Sequence, residues 1–344
     1  EFASKKLIVM GRTLFELPIK GSNVVVSIKD IAKKAGVSIS TVSYALNGSS
    51  KITDETTARI LAIAEELNYV PNAAARSLKT RESKIIGVYL TDFSGAFYGD
   101  LLQGVKEVLN QKGYDMVVCS GKQSHRLLPE RMVDGAIILD ATFSSQELLK
   151  YADIGHKIVV LDRELNHPNI NQVLLDNKAG ATLAVEHLIE LGHRKLYVVT
   201  GPKGSYDSKQ RLKAVKQTVA RFDGVELTEI EGNFNKDAGE RAAEQILRDA
   251  TSPVGVFCLN DEMAIGLYNA VKQTDYVIGK DIHIIGFDNI ELAEYTVPRL
   301  ATIDYSKRKW GALASEQLLK VLAGEPVEHE RVYVTLVKGE SVGQ

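Results

Sequence analysis

Cysteine is scarce in this sequence, because the 344 residues contain only Cys119 and Cys258 and no CxxC pair. Both lie in apolar stretches typical of strands, so we expect buried, reduced thiols and no disulfide framework. No apolar run reaches the roughly 18 residues that a transmembrane helix needs. Residues 1–26 have neither the long apolar core nor the cleavage site of a signal peptide. We therefore expect a cytoplasmic protein with no membrane partner.

Motifs that would carry catalysis are also missing. No GxGxxG follows the first predicted strand, no GxSxG or HExxH occurs, and GPKGSYDSK at 201–209 lacks the GK[ST] ending of a phosphate loop. The seven histidines are scattered, and His193 lies in an LGHRK turn where a structural hydrogen bond is expected. The sequence thus predicts neither enzyme activity nor a metal or cofactor, although a Rossmann oxidoreductase remains an alternative.

Charge is small in total but unevenly distributed. The net charge is −2 with histidine neutral. Residues 27–81 carry eight basic and five acidic side chains, a net charge of +3, and residues 1–26 add +2. The remaining 263 residues therefore carry −7. A basic head on an acidic body is typical of a nucleic-acid-binding module whose other domains do not adhere to DNA.

The region from 28 to 67 has the pattern of three short helices. Apolar residues at i, i+3, i+4 and i+7 predict a helix that begins at Ile28, and Gly36 suits its left-handed end. Ser38 is a good N-cap for a second helix over 39–46, and Thr53 caps a third. Two helices joined by a turn that contains glycine, with a third closing a small core, form a helix-turn-helix.

The second helix carries the candidate DNA contacts. Its N-terminal end and outer face, with Ile39, Ser40 and Tyr44, would meet base edges, and the small hydroxyls beside them suit phosphates. The full candidate set on this helix or at its ends is Ser38, Ile39, Ser40, Thr41, Ser43, Tyr44 and Asn47. Spacing alone leaves open a three-helix core that makes no DNA contact.

Two long segments carry a family resemblance. They are IKDIAKKAGVSISTVSYALNG at 28–48 and ITDETTARILAIAEELNYVPNAAARSLKT at 52–80. Residues 28–80 closely resemble the head of the lactose-repressor (LacI/GalR) family. The resemblance implies that the segment after Pro71 becomes a hinge helix on operator DNA, with Leu78 wedged into the minor groove. A wedged leucine costs unstacking energy and gains a bent, more fully wrapped site.

The same resemblance implies that Asn72 and Ala75 belong to the hinge contacts. Asn72 can cap the short helix, whose eight residues are too few to be stable alone. One position departs from the family, which usually carries an arginine where this chain has Tyr44. Arginine binds guanine with two hydrogen bonds, whereas tyrosine donates one or packs against a thymine methyl. The operator sequence therefore cannot be transferred from other members.

From Lys84 onward, short β-rich runs alternate with helical periods. Runs typical of strands lie at 85–90, 115–120, 135–139, 157–161, 195–200, 225–230, 254–258, 283–287 and 331–337. Helical periods lie at 100–112, 178–191, 209–220, 237–249 and 261–277. Two sets of βα units predict two doubly wound parallel sheets, with a ligand site at the carboxyl ends of the strands. Only 14 residues separate the second and third strands, so the helix there should be shortened or absent.

Five further segments resemble the family's effector domain, and the resemblance therefore covers residues 28–338. These are IGVYLTDFSGAFY, VDGAIIL, LIELGHRKLYVVTGP, CLNDEMAIGLYNAV and IIGFDN. They imply a two-lobed, periplasmic-binding-protein-like domain that closes on a ligand. Aligning the motifs assigns effector contacts to Phe97, Asp162, Arg211, Phe234, Asn260, Asp288 and Tyr305, with Asp207 as a weaker addition.

These residue types suit a sugar. Carboxylates and amides share hydroxyl protons, arginine offers a fork of donors, and a phenyl ring stacks on the apolar face of a sugar ring. Alternatives remain, because Asp288 could be a turn residue and Arg211 a surface ion pair.

The expected organisation has four parts. Residues 1–26 would be a disordered extension or one added in cloning, 27–71 the helix-turn-helix domain, 72–83 the hinge helix and linker, and 84–344 the two-lobed effector and dimerisation domain. We expect an allosteric repressor of a carbohydrate-utilisation operon that binds a pseudo-palindromic operator as a homodimer, since no leucine-heptad tail follows the last strand. Control by a phosphocarrier partner protein remains an alternative, as does a solute-binding protein without a DNA role.

Overall fold

The chain divides into two compact units, residues 1–79 and 80–344, and the described residues of the first unit form three helices. This computed structural model describes residues 26–71, 80–249 and 253–343. Helix α1 spans Ile28–Ala35, α2 spans Ile39–Leu46 and α3 spans Asp54–Glu66. The predicted helix-turn-helix is therefore confirmed. Residues 72–79, which hold most of the expected hinge helix, lie outside the described ranges, as do residues 1–25.

Local signals set the ends of these helices. Gly36 takes φ = 65°, the left-handed conformation that glycine adopts without a steric penalty, and ends α1. The Ser38 hydroxyl accepts a hydrogen bond from the Thr41 amide at 3.1 Å and caps α2. Ile31, Val42 and Ile60, one from each helix, are fully buried together. Burying each such side chain stabilises the unit by roughly 1.5–3 kcal/mol.

The second unit, from Thr80 onward, contains two six-stranded sheets. Its strands are β1 (Ile85–Leu90), β2 (Asp115–Ser120), β3 (Gly135–Leu139), β4 (Lys157–Val160), β5 (Ile170–Leu175), β6 (Lys195–Val199), β7 (Glu226–Ile230), β8 (Val254–Cys258), β9 (Ile282–Phe287), β10 (Ala301–Asp304), β11 (Glu330–Val332) and β12 (Thr335–Val337). The sheet orders are β11-β5-β4-β3-β1-β2 and β12-β10-β9-β8-β6-β7. All pairings are parallel except β10 with β12.

Helices connect the strands. They are α4 (Tyr98–Gln111), α5 (Ser145–Asp153), α6 (Asn177–Glu190), α7 (Tyr206–Val219), α8 (Lys236–Asp249), α9 (Asp261–Val271), α10 (Glu291–Glu294) and α11 (Lys307–Ala323). The chain passes from the first sheet to the second after β5, returns to pack α11 against α4, and crosses again between β11 and β12. The first sheet with α4, α5 and α11 is called the first lobe, and the remaining elements the second lobe.

The structure departs from the predicted elements where the chain crosses between lobes. β5 and β10 were not predicted, the run at 331–337 is divided into β11 and β12, and α9 ends at Val271 instead of 277. β5 is hard to recognise because it contains Asn171 and Gln172. Both are buried, and the Asn171 amide donates to Gln317 Oε1 at 3.0 Å, so a tertiary partner compensates for the polar side chain.

Two smaller expectations are confirmed. The connection between β2 and β3 contains a 3₁₀ helix, Lys122–Leu127, in place of a full α-helix. Cys119 in β2 and Cys258 in β8 are both buried and free. Across the described ranges no helix is long and apolar enough to cross a membrane.

Candidate functional sites: the α2 surface and the interlobe cavity

Helix α2 presents one polar face away from the core of the first unit. Ser38, Ile39 and Ser40 are exposed at its N-terminal end, and Tyr44 and Asn47 are exposed further along. Val42 and Ala45 are buried on the opposite side. Thr41 and Ser43 are partly exposed. All seven predicted DNA-contact residues of this helix are thus at least partly accessible.

Hydrogen bonds within α2 already engage some of these groups. The Ser38 hydroxyl caps the helix and lies 2.8 Å from the hydroxyls of Ser40 and Thr41. The Asn47 amide donates to the Ser43 carbonyl at 2.7 Å. Ile39 and Tyr44 are the large exposed side chains of this helix, with 47% and 38% of their surface accessible. They remain the best-placed candidates for base contacts.

Tyr44 has a cationic neighbour. The Lys51 ammonium lies 5.2 Å from the centre of the Tyr44 ring, within cation–π range. The pair places a positive charge beside the side chain that replaces the usual arginine. The other predicted DNA contacts, Asn72, Ala75 and Leu78, lie outside the described residues.

A cavity of about 720 Å³ lies between the two lobes, at the carboxyl ends of the strands. This volume is typical of small-molecule sites, which span roughly 300–1,000 Å³. Six of the seven predicted effector residues line it: Phe97, Asp162, Arg211, Phe234, Asn260 and Asp288. Asp207, the weaker candidate, lines it as well. Residues more than 190 positions apart are therefore brought to one site by the fold.

Arg211 and Asp288 form the buried polar centre of the cavity wall. The Arg211 guanidinium lies 3.5 Å above the Phe287 ring and donates through Nε to Asn177 Oδ1 at 2.8 Å. Its Nη2 atom lies 3.7 Å from Asp288 Oδ1. Arg211 is 4% exposed and Asp288 6%, so the ion pair is shielded from bulk water. Asn177 in turn donates to Asp207 Oδ1 at 2.7 Å.

Asp288 has a strained backbone. Its φ of 109° lies in a region that non-glycine residues seldom adopt, and Asn289 follows at 45°. The buried Lys307 ammonium donates to the carbonyls of Asp288 and Asn289 and holds this turn. The strain places the Asp288 carboxylate at the cavity, a cost of the kind that accumulates at functional sites.

Tyr305 lies behind the cavity wall and is not among the residues that line it. It is 3% exposed, and its hydroxyl donates to Asp288 Oδ1 at 2.8 Å. The motif alignment therefore identifies the correct neighbourhood, but the structure gives Tyr305 the position of a residue that orients Asp288. Asn260 lines the cavity and also caps α9, accepting from the Met263 amide at 3.1 Å and donating to the Phe234 carbonyl at 2.9 Å.

Asp162 is paired with Arg163, a residue that sequence reasoning missed. Arg163 donates through Nε to Asp162 Oδ1 at 2.7 Å and through Nη2 to Oδ2 at 2.8 Å. Arg163 also lines the cavity. The adjacent LDR letters after β4 were the available signal, since two opposite charges at a strand end can form a bidentate pair.

Aromatic rings supply the apolar part of the wall. Phe97 lies before α4, and Phe234 lies before α8 with φ = 69°, its ring directly over Gly201. Tyr206 and Trp310 also line the cavity, although neither was predicted. The Trp310 indole donates to the Val173 carbonyl at 2.8 Å, which fixes the ring. Trp310 lies inside α11 and not at a strand end, so the strand-end pattern could not have identified it.

Burial acts on the carboxyl groups of the site. It raises the pKa values of Asp162, Asp207 and Asp288 above the ordinary aspartate range, because a buried charge loses hydration. For Asp288 the neighbouring charges of Arg211 and Lys307 oppose this increase in pKa but do not outweigh burial. In the described part of the chain, no group of three or more His, Cys, Asp or Glu side chains is placed to hold a metal ion.

Two family models match this chain, one in each unit. The model for bacterial regulatory proteins of the lacI family matches residues 27–72, and the model for the periplasmic binding protein-like domain matches residues 185–342. The HTH-type transcriptional repressor PurR of Vibrio atlanticus is 34% identical over 317 residues, covering 89% of this chain and 94% of its own. The ribose operon repressor of Haemophilus influenzae is 34% identical over 329 residues, covering 92% of this chain and 98% of its own.

Solved structures give the same result. The lac repressor dimer bound to operator and the anti-inducer ONPF superposes with a TM-score of 0.80 at 29% identity, covering 92% of this chain and 99% of its own. A sugar-binding transcriptional regulator of the LacI family from Enterococcus faecalis has a TM-score of 0.73 at 50% identity, covering 76% and 98%. The named relatives are repressors and not enzymes. The chain belongs to the LacI family and is a DNA-binding transcription regulator.

Proposed function

We propose that this regulator represses a carbohydrate-utilisation operon and that a small sugar-like effector in the interlobe cavity controls its affinity for operator DNA. The observation that supports this most directly is the buried Arg211–Asp288 pair at the cavity wall. The Nη2 donor of Arg211, which lies beside the Asp288 carboxylate, can bind one hydroxyl group of a polyol while that carboxylate accepts from the next. The aromatic rings of Phe97 and Phe234 can cover its apolar faces.

The relatives support the same ligand class. One is named a ribose operon repressor, and one solved structure is titled a sugar-binding transcriptional regulator. Those descriptions concern the relatives. The polar and aromatic residues of this cavity make a sugar chemically reasonable as the ligand of this chain as well. Cavity-lining groups come from both lobes, Asp162 from the first and Arg211 from the second. A ligand that contacts both would favour one lobe arrangement and so change DNA affinity.

The proposed DNA-binding form is a homodimer in the cytoplasm, with one α2 helix on each half of a pseudo-palindromic operator. A single recognition helix contacts too few base pairs to define a specific site. Two DNA-binding domains in a dimer contact twice as many. The lac repressor structure that this chain resembles is described as a dimer bound to operator.

The test is operator binding in the presence of free sugars. A duplex would be selected by the protein from a random library, and its affinity measured by fluorescence anisotropy with a panel of pentoses, hexoses and disaccharides. We expect at least one sugar to change the affinity tenfold or more, lowering it if it is an inducer and raising it if it is a corepressor. If no sugar changes the affinity, the proposed effector class is wrong.

Two aspartate variants test whether the sugar response depends on the cavity. Asp288→Asn removes the charge that pairs with Arg211, so the sugar response should fall at least tenfold while operator binding without sugar persists. Asp275→Asn is the matched control, since Asp275 is exposed and does not line the cavity. Equal losses in both variants would place the sugar site elsewhere.

A further inference from the structure

The cavity walls have an excess of negative charge. Among the described residues, six acidic side chains line the cavity: Asp92, Asp162, Asp207, Asp237, Glu262 and Asp288. Three basic side chains line it: Arg163, Arg211 and Lys236. A cleft lined by one sign of charge concentrates its field in the low-dielectric interior and repels ligands of the same sign.

The basic groups are already occupied by the protein. The Arg163 guanidinium binds both oxygens of Asp162, and it also donates to the carbonyls of Asp140, at 2.7 Å, and Phe143. All three of its nitrogens have protein acceptors, and its charge is neutralised by an adjacent carboxylate. It therefore has little capacity to bind an anion from the cavity.

Arg211 and Lys236 keep some donor capacity, but each lies beside an acid. Arg211 donates to Asn177 Oδ1 at 2.8 Å and to the Leu259 carbonyl at 2.5 Å, which leaves Nη2, beside Asp288, for a ligand. The Lys236 ammonium lies 3.3 Å from Glu262 Oε2. Neither cation faces the cavity without a carboxylate beside it.

Helix N-termini, the other common anion-binding groups, are also engaged. Ser205 caps α7 by accepting from the Ser208 amide at 3.2 Å, and Asn260 caps α9. The first turns of α7 and α8 contain Asp207 and Asp237, whose negative charges already offset the positive end of the helix dipole. A phosphate approaching these helix ends would meet carboxylates instead of free amides.

We infer that the cavity is selective by charge: it accepts an uncharged polyhydroxylated effector and rejects the phosphate ester of the same compound. This inference rests on the proposed sugar-binding function and specifies its ligand. A phosphomonoester brings a charge of roughly −1.5 to −2 at neutral pH. Every cation that could bind it is paired with an acid of the protein, so the ester meets net repulsion.

Matched ligand pairs test the inference by isothermal titration of the full-length protein. The pairs are ribose with ribose 5-phosphate, glucose with glucose 6-phosphate, and fructose with fructose 1-phosphate. For whichever sugar binds, we expect its ester to bind at least 100-fold more weakly at low salt. An ester that binds as tightly as its sugar, or more tightly, overturns the charge selectivity and leaves a sugar-type effector intact. If no member of any pair binds, the proposed function itself fails.

A variant that removes one cavity charge tests whether the lining charges cause the selectivity, because the ratio of sugar to ester affinity does not depend on the fraction of folded protein. Glu262→Gln removes the carboxylate beside Lys236 and frees its ammonium, so the ratio between sugar and ester affinities should shrink by about tenfold. Glu291→Gln, an exposed change at the start of α10 that is absent from the cavity lining, should leave the ratio unchanged. An unchanged ratio in Glu262→Gln would mean that the lining charges do not set the selectivity.

Discussion

We propose that single side chains decide what each site can recognise. On α2 the proposed residue is Tyr44, which has one hydroxyl donor and an aromatic face with Lys51 5.2 Å from its ring centre. In the cavity it is Asp288, held by Tyr305 and Lys307 in a backbone conformation with φ = 109°. Tyr44 is exposed, so it can be replaced without disturbing the core. Asp288 is instead held in place by Tyr305 and Lys307. Substitution at the two positions should therefore have different consequences.

Tyr44→Arg should change the operator that the protein prefers. An arginine at this exposed position can make two hydrogen bonds to guanine, worth roughly 1–3 kcal/mol of discrimination between bases. We expect selection from a randomised operator library to enrich guanine at one symmetric pair of positions. Leu61→Arg adds the same charge at an exposed position on α3. It should raise the salt-dependent affinity for DNA of any sequence and leave the preferred operator sequence unchanged. Identical selected sequences for the two variants would contradict a base-reading role for position 44.

Pairs of helices hold each lobe together at close range. In the first lobe α4 crosses α11 where Gly104 and Gly311 lie, and a Cβ on Gly104 would be 1.9 Å from the Arg308 carbonyl oxygen. In the second lobe α8 crosses α9 at Gly239 and Gly266, with the same 1.9 Å approach to a backbone oxygen. Since backbone cannot retreat as a side chain can, these glycines are needed for helix contact and not for backbone flexibility. The two lobes thus use the same packing device.

Gly104→Ala should destabilise the effector domain by about 2 kcal/mol or more, because the added methyl forces α4 away from α11. Gly99→Ala is the matched control in the same helix, since a Cβ there meets nothing within 4 Å. That change should be neutral or stabilise by roughly 0.5–1 kcal/mol through helix propensity. Thermal unfolding of both full-length variants provides the comparison. If Gly99→Ala lowered the unfolding temperature as much as Gly104→Ala, the close contact between α4 and α11 would not be the cause of the destabilisation.

At the scale of the molecule, two units each have a core of their own. The first buries Ile31, Val42 and Ile60 among three helices, and the second buries the faces of two sheets. The charge follows the same division, with a basic head and an acidic remainder. DNA contacts and effector contacts are therefore assigned to different units of one chain.

A bound sugar should stabilise the two units unequally. A ligand that binds only the native effector domain stabilises it by about 2.7 kcal/mol at 100 times its Kd. Differential scanning calorimetry of the DNA-free protein should show the larger transition moving several degrees upward with sugar while the smaller one stays. Asp288→Asn should remove the shift. A rise in both transitions by the same amount would contradict a ligand site confined to the second unit.

Much of the fold could be predicted because its signals are local. The helices of the head follow from the Ser38 cap, the Gly36 end and apolar spacing, and these act within a few residues of themselves. The strands with continuous apolar runs, such as β1 and β8, are likewise recognisable from a short window. Six cavity residues could be predicted because they match family motifs that lie after strands or, for Arg211, in the helix that follows a strand.

Other features of the fold and the cavity depend on residues far apart in sequence, and only the tertiary structure shows them. β5 contains the buried polar residue Asn171, which is stable in the sheet because Gln317, Glu328 and His329, far along the chain, hydrogen-bond it. Trp310 reaches the cavity through the crossing of α11 back to the first lobe. The separation of Tyr305 from the lining, and the pairing of Arg211 with Asp288 and of Lys236 with Glu262, depend on contacts between distant parts of the chain. Sequence alone thus determined a LacI-type regulator with a strand-end site, whereas these two charge pairs arise from contacts between residues that no local pattern links.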